Sequence, residues 1–340
     1  MTEILIEEYF NIYNSYPIID VRSPGEFSKG HIVGAHNIPL FTNAERAHVG
    51  TVYKQQGQEI AMDLGLEYVT PKLSWFVEES AKWAPNKKVV VHCWRGGMRS
   101  HAFADHLEEN GFEDVRVIQK GYKAYRNFVL DSFKKEVDLK IIGGYTGSGK
   151  THILTRLNEL GCQVIDLEAL ACHKGSAFGA IGENSQPTVE QFENNLFDLW
   201  RKLDFNQPVY LEDESHNIGR VKLPMDLFVK IRNAKVYFLD IPKEKRALAL
   251  VKEYAGIDDE LLEHGILTIA KRLGGLVVKE ALEALGKKDY LKVATLTLNY
   301  YDKAYMRGVL KRDSDKIVYL ELADSDSHFN AKYIKRKIEG

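Results

Sequence analysis

The chain runs to 340 residues, more than one ordinary hydrophobic core takes up, which predicts two domains. Hydrophobic residues make up 44% and charged residues 28%, the balance of a globular chain and not of a disordered or fibrous one. The formal net charge of -2 excludes a global basic field, so an RNA partner must be met by a local patch or by shape.

Three scattered cysteines, Cys93, Cys162 and Cys172, exclude a disulfide framework and lack the paired spacing of structural zinc; no dedicated transition-metal site is expected. The first ten residues carry Glu3, Glu7 and Glu8, unlike a signal peptide, and no apolar run is long enough to span a bilayer. The expected location is the reducing cytoplasm, with no membrane partner and with Cys93 a free thiol. No signal for an oligomeric state stands out.

Along the chain, Pro17–Val21, Lys88–His92 and Val115–Ile118 are short runs rich in Val and Ile that predict buried strands. Helical patterns over Ser74–Trp83 and Ser100–Asn110 lie between them, so a mainly parallel sheet covered on both faces is expected. Tyr122–Val137 reads as a connecting helix. A second block opens with a strand at Leu139–Gly143, followed by strand candidates at Gln163–Asp166, Val209–Leu211, Lys235–Leu239 and Lys316–Leu320. Pro242–Arg312 is helix-rich with a break at Gly274-Gly275. The predicted architecture is α/β: a parallel-sheet domain over 1–134, then a P-loop NTPase-like α/β domain with a helical C-terminal part over 135–340.

The strand Lys88–Val91 runs into His92-Cys93-Trp94-Arg95-Gly96-Gly97-Met98-Arg99-Ser100, and a helix pattern follows at once. A cysteine at such a turn sits in a ring of backbone N–H groups at the positive end of a helix dipole. Arg95 and Arg99 add positive charge, Gly96 and Gly97 let the loop curl tightly, and Trp94 and Met98 complete it. All this favours the thiolate and marks Cys93 as the candidate nucleophile. Two chemistries use such a loop: sulfur or selenium transfer through a persulfide-type intermediate, and phosphate-ester hydrolysis, because His-Cys-x5-Arg-Ser also fits a tyrosine-phosphatase signature.

The second motif is Gly144-Tyr145-Thr146-Gly147-Ser148-Gly149-Lys150-Thr151, a Walker A pattern between a strand and a helix pattern over His152–Leu160. Its backbone N–H groups and helix N-terminus suit a polyphosphate, Lys150 supplies a full charge, and the Thr151 hydroxyl can ligate Mg²⁺. Pro208–Ser215 resembles a Walker B strand ending in Glu212, Asp213 and Glu214, each a candidate for ordering metal or water. A solvated helix face and an RNA contact are both open for Lys303, Arg307 and Lys311, spaced i, i+4, i+8, with Arg312 beside them and Tyr300, Tyr301 and Tyr305 close by. Lys332, Lys335, Arg336 and Lys337 form a second basic cluster.

Upstream of the cysteine loop, Asp20-Val21-Arg22-Ser23-Pro24-Gly25-Glu26-Phe27 and Gly30-His31-Ile32 resemble the rhodanese domain, where such residues brace the sheet. The loop is one residue longer than in common sulfurtransferases of that fold, which favours a group larger than a single sulfur. The pairing of this loop with the phosphate loop resembles the tRNA 2-selenouridine synthase family. Further segments carry the likeness: Glu45–Lys54, Asp166-Leu167-Glu168, His173–Gly179, Ile218-Gly219, Leu273–Gly275 and Tyr301–Tyr305. Lys174 is a mild departure where Arg is expected, keeping the charge but losing a bidentate fork. The resemblance implies replacement of sulfur by selenium at C2 of the wobble 2-thiouridine of tRNA, with selenophosphate as donor, and S-geranylation of that sulfur from geranyl diphosphate. A phosphatase–kinase-like fusion acting on small phosphorylated metabolites is the alternative reading, and a non-catalytic regulator a third.

Overall fold

In the computed structural model all residues are described except Ala177, Ala180, Tyr254, Ala255, Ile257 and Gly340. Ala177, within the His173–Gly179 segment, therefore lies outside the described residues. The chain divides into two compact units, one of Met1–Ser132 with Glu193–Asp198, the other of Phe133–Phe192 with Leu199–Gly340.

The first unit holds five parallel strands: β1 (Thr2–Ile4), β2 (Ile18–Asp20), β3 (His36–Asn37), β4 (Lys88–His92) and β5 (Asp114–Ile118), in the order β1-β5-β4-β2-β3. The run Val89-Val90-Val91 is fully buried because β4 is central and covered on both faces. Helices Leu73–Trp83 and Met98–Glu109 supply Phe76, Phe103 and Leu107 to one core with Val89, Val91 and Val115. The segment 45–54 lies in a helix, Asn43–Gln56, that starts from a capping box: Thr42 accepts from the Glu45 N–H and Glu45 from that of Thr42.

The second unit holds β6 (Leu139–Gly144), β7 (Gln163–Val164), β8 (Val209–Glu212), β9 (Asn217–Ile218), β10 (Val221–Lys222), β11 (Val236–Asp240) and β12 (Ile317–Glu321). Five form a parallel sheet ordered β12-β11-β6-β8-β7, and β9 and β10 make a small antiparallel hairpin. Helices Lys243–Glu253, Asp259–Thr268, Ala270–Leu273, Gly275–Gly286 and Tyr290–Val309 form the helical part, and the break falls at Gly274, whose φ of 91° stops a helix. The α/β class, the parallel sheets and the helical C-terminal part are as predicted. The strand predicted over Gln163–Asp166 ends at Val164, because Asp166 instead caps the helix Leu167–Ala171 by accepting from the Ala169 N–H. The helix predicted over Tyr122–Val137 is Gly121–Ser132. No helix among the described residues is long and apolar enough to cross a membrane.

Each motif loop leaves the carboxyl end of a central strand, β4 in one sheet and β6 in the other. Open parallel sheets gather ligands there.

Candidate active sites

In the first unit, Cys93 follows β4 and is only 3% exposed. Its Sγ lies 3.3 Å from the Ser100 hydroxyl, which in turn lies 3.0 Å from the Gly97 carbonyl oxygen. A serine has one proton to give. With a neutral thiol, the S–H donates to Ser100 and Ser100 donates to Gly97; with a thiolate, the Ser100 hydroxyl turns to the sulfur. Burial pushes the Cys93 thiol up, but the Ser100 hydrogen bond, the Arg99 charge and the N–H groups of Gly97 and Arg95 outweigh it, so the thiol ionises below its ordinary range.

The loop is held open by residues the motif does not contain. The helix Gly121–Ser132 turns its first N–H groups onto the loop's outward carbonyls: Tyr122 donates to the Cys93 carbonyl at 2.8 Å and Lys123 to that of Trp94 at 3.0 Å. Gly96 and Gly121, at φ 57° and 53°, lie back to back. A Cβ on Gly96 would strike the Ile118 carbonyl and one on Gly121 the Cys93 carbonyl, so glycine is required at both.

Behind this turn, the buried Arg22 bonds Asp20 at 2.6 Å and the Gly30 carbonyl at 2.7 Å, and its guanidinium lies 3.7 Å from the centre of the Tyr122 ring. Burial keeps His92 neutral despite Asp20 3.7 Å away. Asp20 and Arg22 thus brace the sheet. Glu26 does more: its carboxylate takes Arg99 at 3.3 Å and Arg46 at 3.6 Å, fixing the arginine beside the thiol. On the outer side, Gln58 lies between the sulfurs of Met62 and Met98, 3.9 and 3.7 Å away.

In the second unit, Gly144–Thr151 links β6 to the helix Lys150–Glu159. Gly147 and Gly149 take φ of 77° and 74°, turning the loop's backbone around its centre. Lys150 Nζ sits 3.1 Å from the Gly144 carbonyl, inside the loop. Ser148 is fully buried under Gly144 and shapes the loop.

Two long-range devices clamp it. Arg246, 2% exposed, forks onto Asp302 with both bonds at 2.9 Å and donates to the Thr146 carbonyl at 3.1 Å. The Tyr305 hydroxyl accepts from the Gly144 N–H and donates to Asp213, each at 3.0 Å. Asp213 also carries Arg312 at 2.5 Å and Arg232 at 3.4 Å.

That arrangement corrects three expectations. Asp213 is committed to two arginines and a tyrosine, so among the three acids it braces and does not order metal or water. Arg312 is buried against Asp213 and leaves the surface patch, and the Tyr305 hydroxyl is used inside the phosphate site. The helix Tyr290–Val309 exposes Lys303 and Arg307, whereas Lys311 lies past its end, so the three do not share one helix face. Lys332, Lys335, Arg336 and Lys337 lie on the helix Ser327–Glu339, with Lys335 tied to the Leu160 carbonyl.

The other two acids join Glu168, which sequence reasoning had placed only in a resembling segment. The Glu168 carboxylate takes the Thr151 hydroxyl at 3.2 Å, and its N–H donates to Glu212 at 2.7 Å. Burial and the charge of Asp166 push Glu212 well above the ordinary carboxyl range, and burial and the charge of Glu168 push Glu214 up to about 8. Glu212 Oε2 is buried without a hydrogen-bond partner among the described residues. No group of three or more His, Cys, Asp or Glu among the described residues is arranged to hold a metal by itself. The set that is present, a threonine hydroxyl with crowded carboxylates beside a phosphate loop, is the hard oxygen chemistry of Mg²⁺, which takes one or two carboxylates and completes its shell with phosphate and water.

The folded protein keeps the Glu214 proton to about pH 8, where the unfolded chain has lost it, so this group makes stability fall as pH rises from the ordinary carboxyl range toward 8. Glu214→Gln is expected to raise the melting temperature at pH 8 and to leave it nearly unchanged at pH 4; an equal shift at both pH values contradicts this.

The two loops sit in domains with known relatives. A rhodanese-like domain model matches residues 6–128, and the model described as the tRNA 2-selenouridine synthase AAA domain matches residues 137–334. The chain belongs to the tRNA 2-selenouridine synthase family. It is 36% identical to a tRNA 2-selenouridine synthase of Bdellovibrio bacteriovorus, over 87% of this chain and 89% of that one. With the Sulfurovum sp. enzyme of the same name identity is 34%, over 95% and 96%. With that of Nitrosomonas europaea it is 38%, over 70% of this chain and 63% of that one. Membership takes the cysteine loop out of the phosphatase reading, which left the rhodanese text and the helix Asn43–Gln56 unexplained.

Proposed function

We propose that the chain is a tRNA 2-selenouridine synthase, a transferase that exchanges sulfur for selenium at C2 of the wobble 2-thiouridine of tRNA. The observation that carries this reading is the pairing, in one chain of this family, of a thiol held below its ordinary pKa with a clamped phosphate loop.

A thiocarbonyl sulfur leaves poorly, and alkylating it makes it a good leaving group. In the first step the thiocarbonyl sulfur attacks C1 of geranyl diphosphate. The S–C1 bond forms, the C1–O bond breaks, diphosphate departs with the electron pair, and the N3 proton goes to solvent. Lys150 and the loop N–H groups neutralise the charge growing on the diphosphate. Thr151, Glu168 and Glu214 would hold Mg²⁺, which supplies further positive charge to the phosphates. In the second step the Cys93 thiolate attacks C2, the bond from C2 to the geranyl sulfur breaks, and geranyl thiol leaves and takes a proton; selenium of selenophosphate then attacks C2, and the bond from C2 to Cys93 breaks and returns the thiolate. Water then cleaves the Se–P bond, releasing phosphate and restoring C2=Se with N3–H. The N–H ring around Cys93 keeps its sulfur the thiolate that attacks C2 and then leaves again.

The tRNA is the partner, and Lys303, Arg307 and Lys311 are proposed to meet its phosphates. Binding should weaken as salt rises, and a Lys303→Ala, Arg307→Ala, Lys311→Ala variant should show a lower affinity and a shallower salt slope by filter binding. Unchanged affinity places the RNA elsewhere. The function itself is tested by nucleoside mass spectrometry of 2-thiouridine tRNA incubated with the protein, geranyl diphosphate and selenophosphate: 2-selenouridine is expected, and its absence with folded protein contradicts the reading.

A further inference from the structure

The helical part of the second unit lines a cavity of about 210 Å³ that reaches the phosphate loop. Its lining includes Thr146 of that loop, Phe178, Leu250, Val293, Ala294 and Leu298. The loop rests on the cavity wall: a Cβ on Gly147 would lie 3.0 Å from the Leu250 side chain.

Three of the hydroxyls around the cavity are engaged within the protein. Ser176 accepts from the Phe178 N–H at 3.2 Å, Tyr290 donates to Asp259 at 2.9 Å, and Thr297 donates to the Val293 carbonyl at 3.0 Å. The lining is mainly hydrocarbon, and a cavity of that kind takes apolar matter in place of water. An apolar cavity joined to a phosphate loop fits one class of ligand, a hydrocarbon tail on a phosphorylated head.

We propose that this cavity is the tail site of the prenyl diphosphate and that Val293, Ala294 and Leu298, which line it, set the chain length. The assignment rests on the two-step reading above and deepens it. A cavity of about 150 Å³ holds benzene, so by the same scale this one of about 210 Å³ holds roughly eight carbons. Among prenyl chains the ten-carbon tail comes nearest to that, a five-carbon chain leaves a void, and a fifteen-carbon chain overfills the space.

Calorimetry on the full chain tests this with unreactive geranyl S-thiolodiphosphate and with inorganic diphosphate. The wild-type protein should bind the geranyl compound about tenfold or more tighter than diphosphate, through burial of the tail. Ala294→Phe, which fills the cavity, should erase that advantage and leave diphosphate affinity unchanged. The milder Ala294→Leu should reduce it in the same direction and decides the matter where Ala294→Phe loses diphosphate binding too. Equal affinities in the wild-type protein, or an advantage kept in a filled variant that still binds diphosphate, overturn the tail site. Transfer to tRNA is read separately: a tail advantage without transfer leaves the cavity assignment standing and contradicts the proposed reaction.

Discussion

Cys93→Ser protein is expected to make no 2-selenouridine while remaining folded. The loop is built around the sulfur: Ser100 and the N–H groups of Gly97 and Arg95 face it, and Arg99 is held beside it by Glu26. A serine hydroxyl fits the same space and can hydrogen-bond with Ser100, so the melting temperature should move by only a few degrees. It ionises far above neutral pH, and loss of an attacking group of this kind costs about 10³-fold or more. Selenouridine at the wild-type rate removes Cys93 from the chemistry.

Lys150→Ala should fail at the other step. Lys150 stands inside the phosphate loop, where it would meet the departing diphosphate of the proposed first step. Removing one preorganised charge-stabilising group costs about 10²-fold or more. The two loops belong to different sheets, so each can fail alone. Supplying S-geranylated tRNA with selenophosphate should therefore restore selenouridine to Lys150→Ala and not to Cys93→Ser, as read by nucleoside mass spectrometry. If neither is restored, the phosphate loop also serves the selenium step. If both are, Cys93 acts in the first step and the division of labour is reversed.

Both loops were legible in the sequence because each packs its chemistry into eight or nine consecutive residues between a strand and a helix. β4 matches its predicted range, since three successive valines in a doubly covered strand leave little doubt of period or place. The strands β1 and β3 and the hairpin of β9 and β10, of two or three residues each, carry too little pattern to show. The supports of the sites were hidden for another reason: they are contacts over long sequence distances. Tyr122 reaches back to the Cys93 carbonyl, Arg246 crosses to Asp302, and Tyr305 and Arg312 meet Asp213 from the far end of the chain.

Arg312 shows the cost of reading charge by spacing alone. Beside Lys311 in sequence it looks like part of a basic face, yet it is 7% exposed and paired. Glu26 shows the converse. The sequence marks it as a sheet brace, and in the fold its carboxylate also positions an arginine at the thiol. The acids after β8 divide in the same way, since only folding reveals that Asp213 faces arginines while Glu214 faces Glu168.

In the proposed reaction, two consecutive steps on one nucleoside are divided between the phosphate loop and the cysteine loop. The measurement that tests it most directly is a single-turnover time course, by nucleoside mass spectrometry, of 2-thiouridine tRNA with the protein, geranyl diphosphate and selenophosphate. S-geranyl-2-thiouridine should rise first and decay into 2-selenouridine, and omitting geranyl diphosphate should leave 2-thiouridine unchanged. Selenouridine formed at the same rate without geranyl diphosphate would contradict the account.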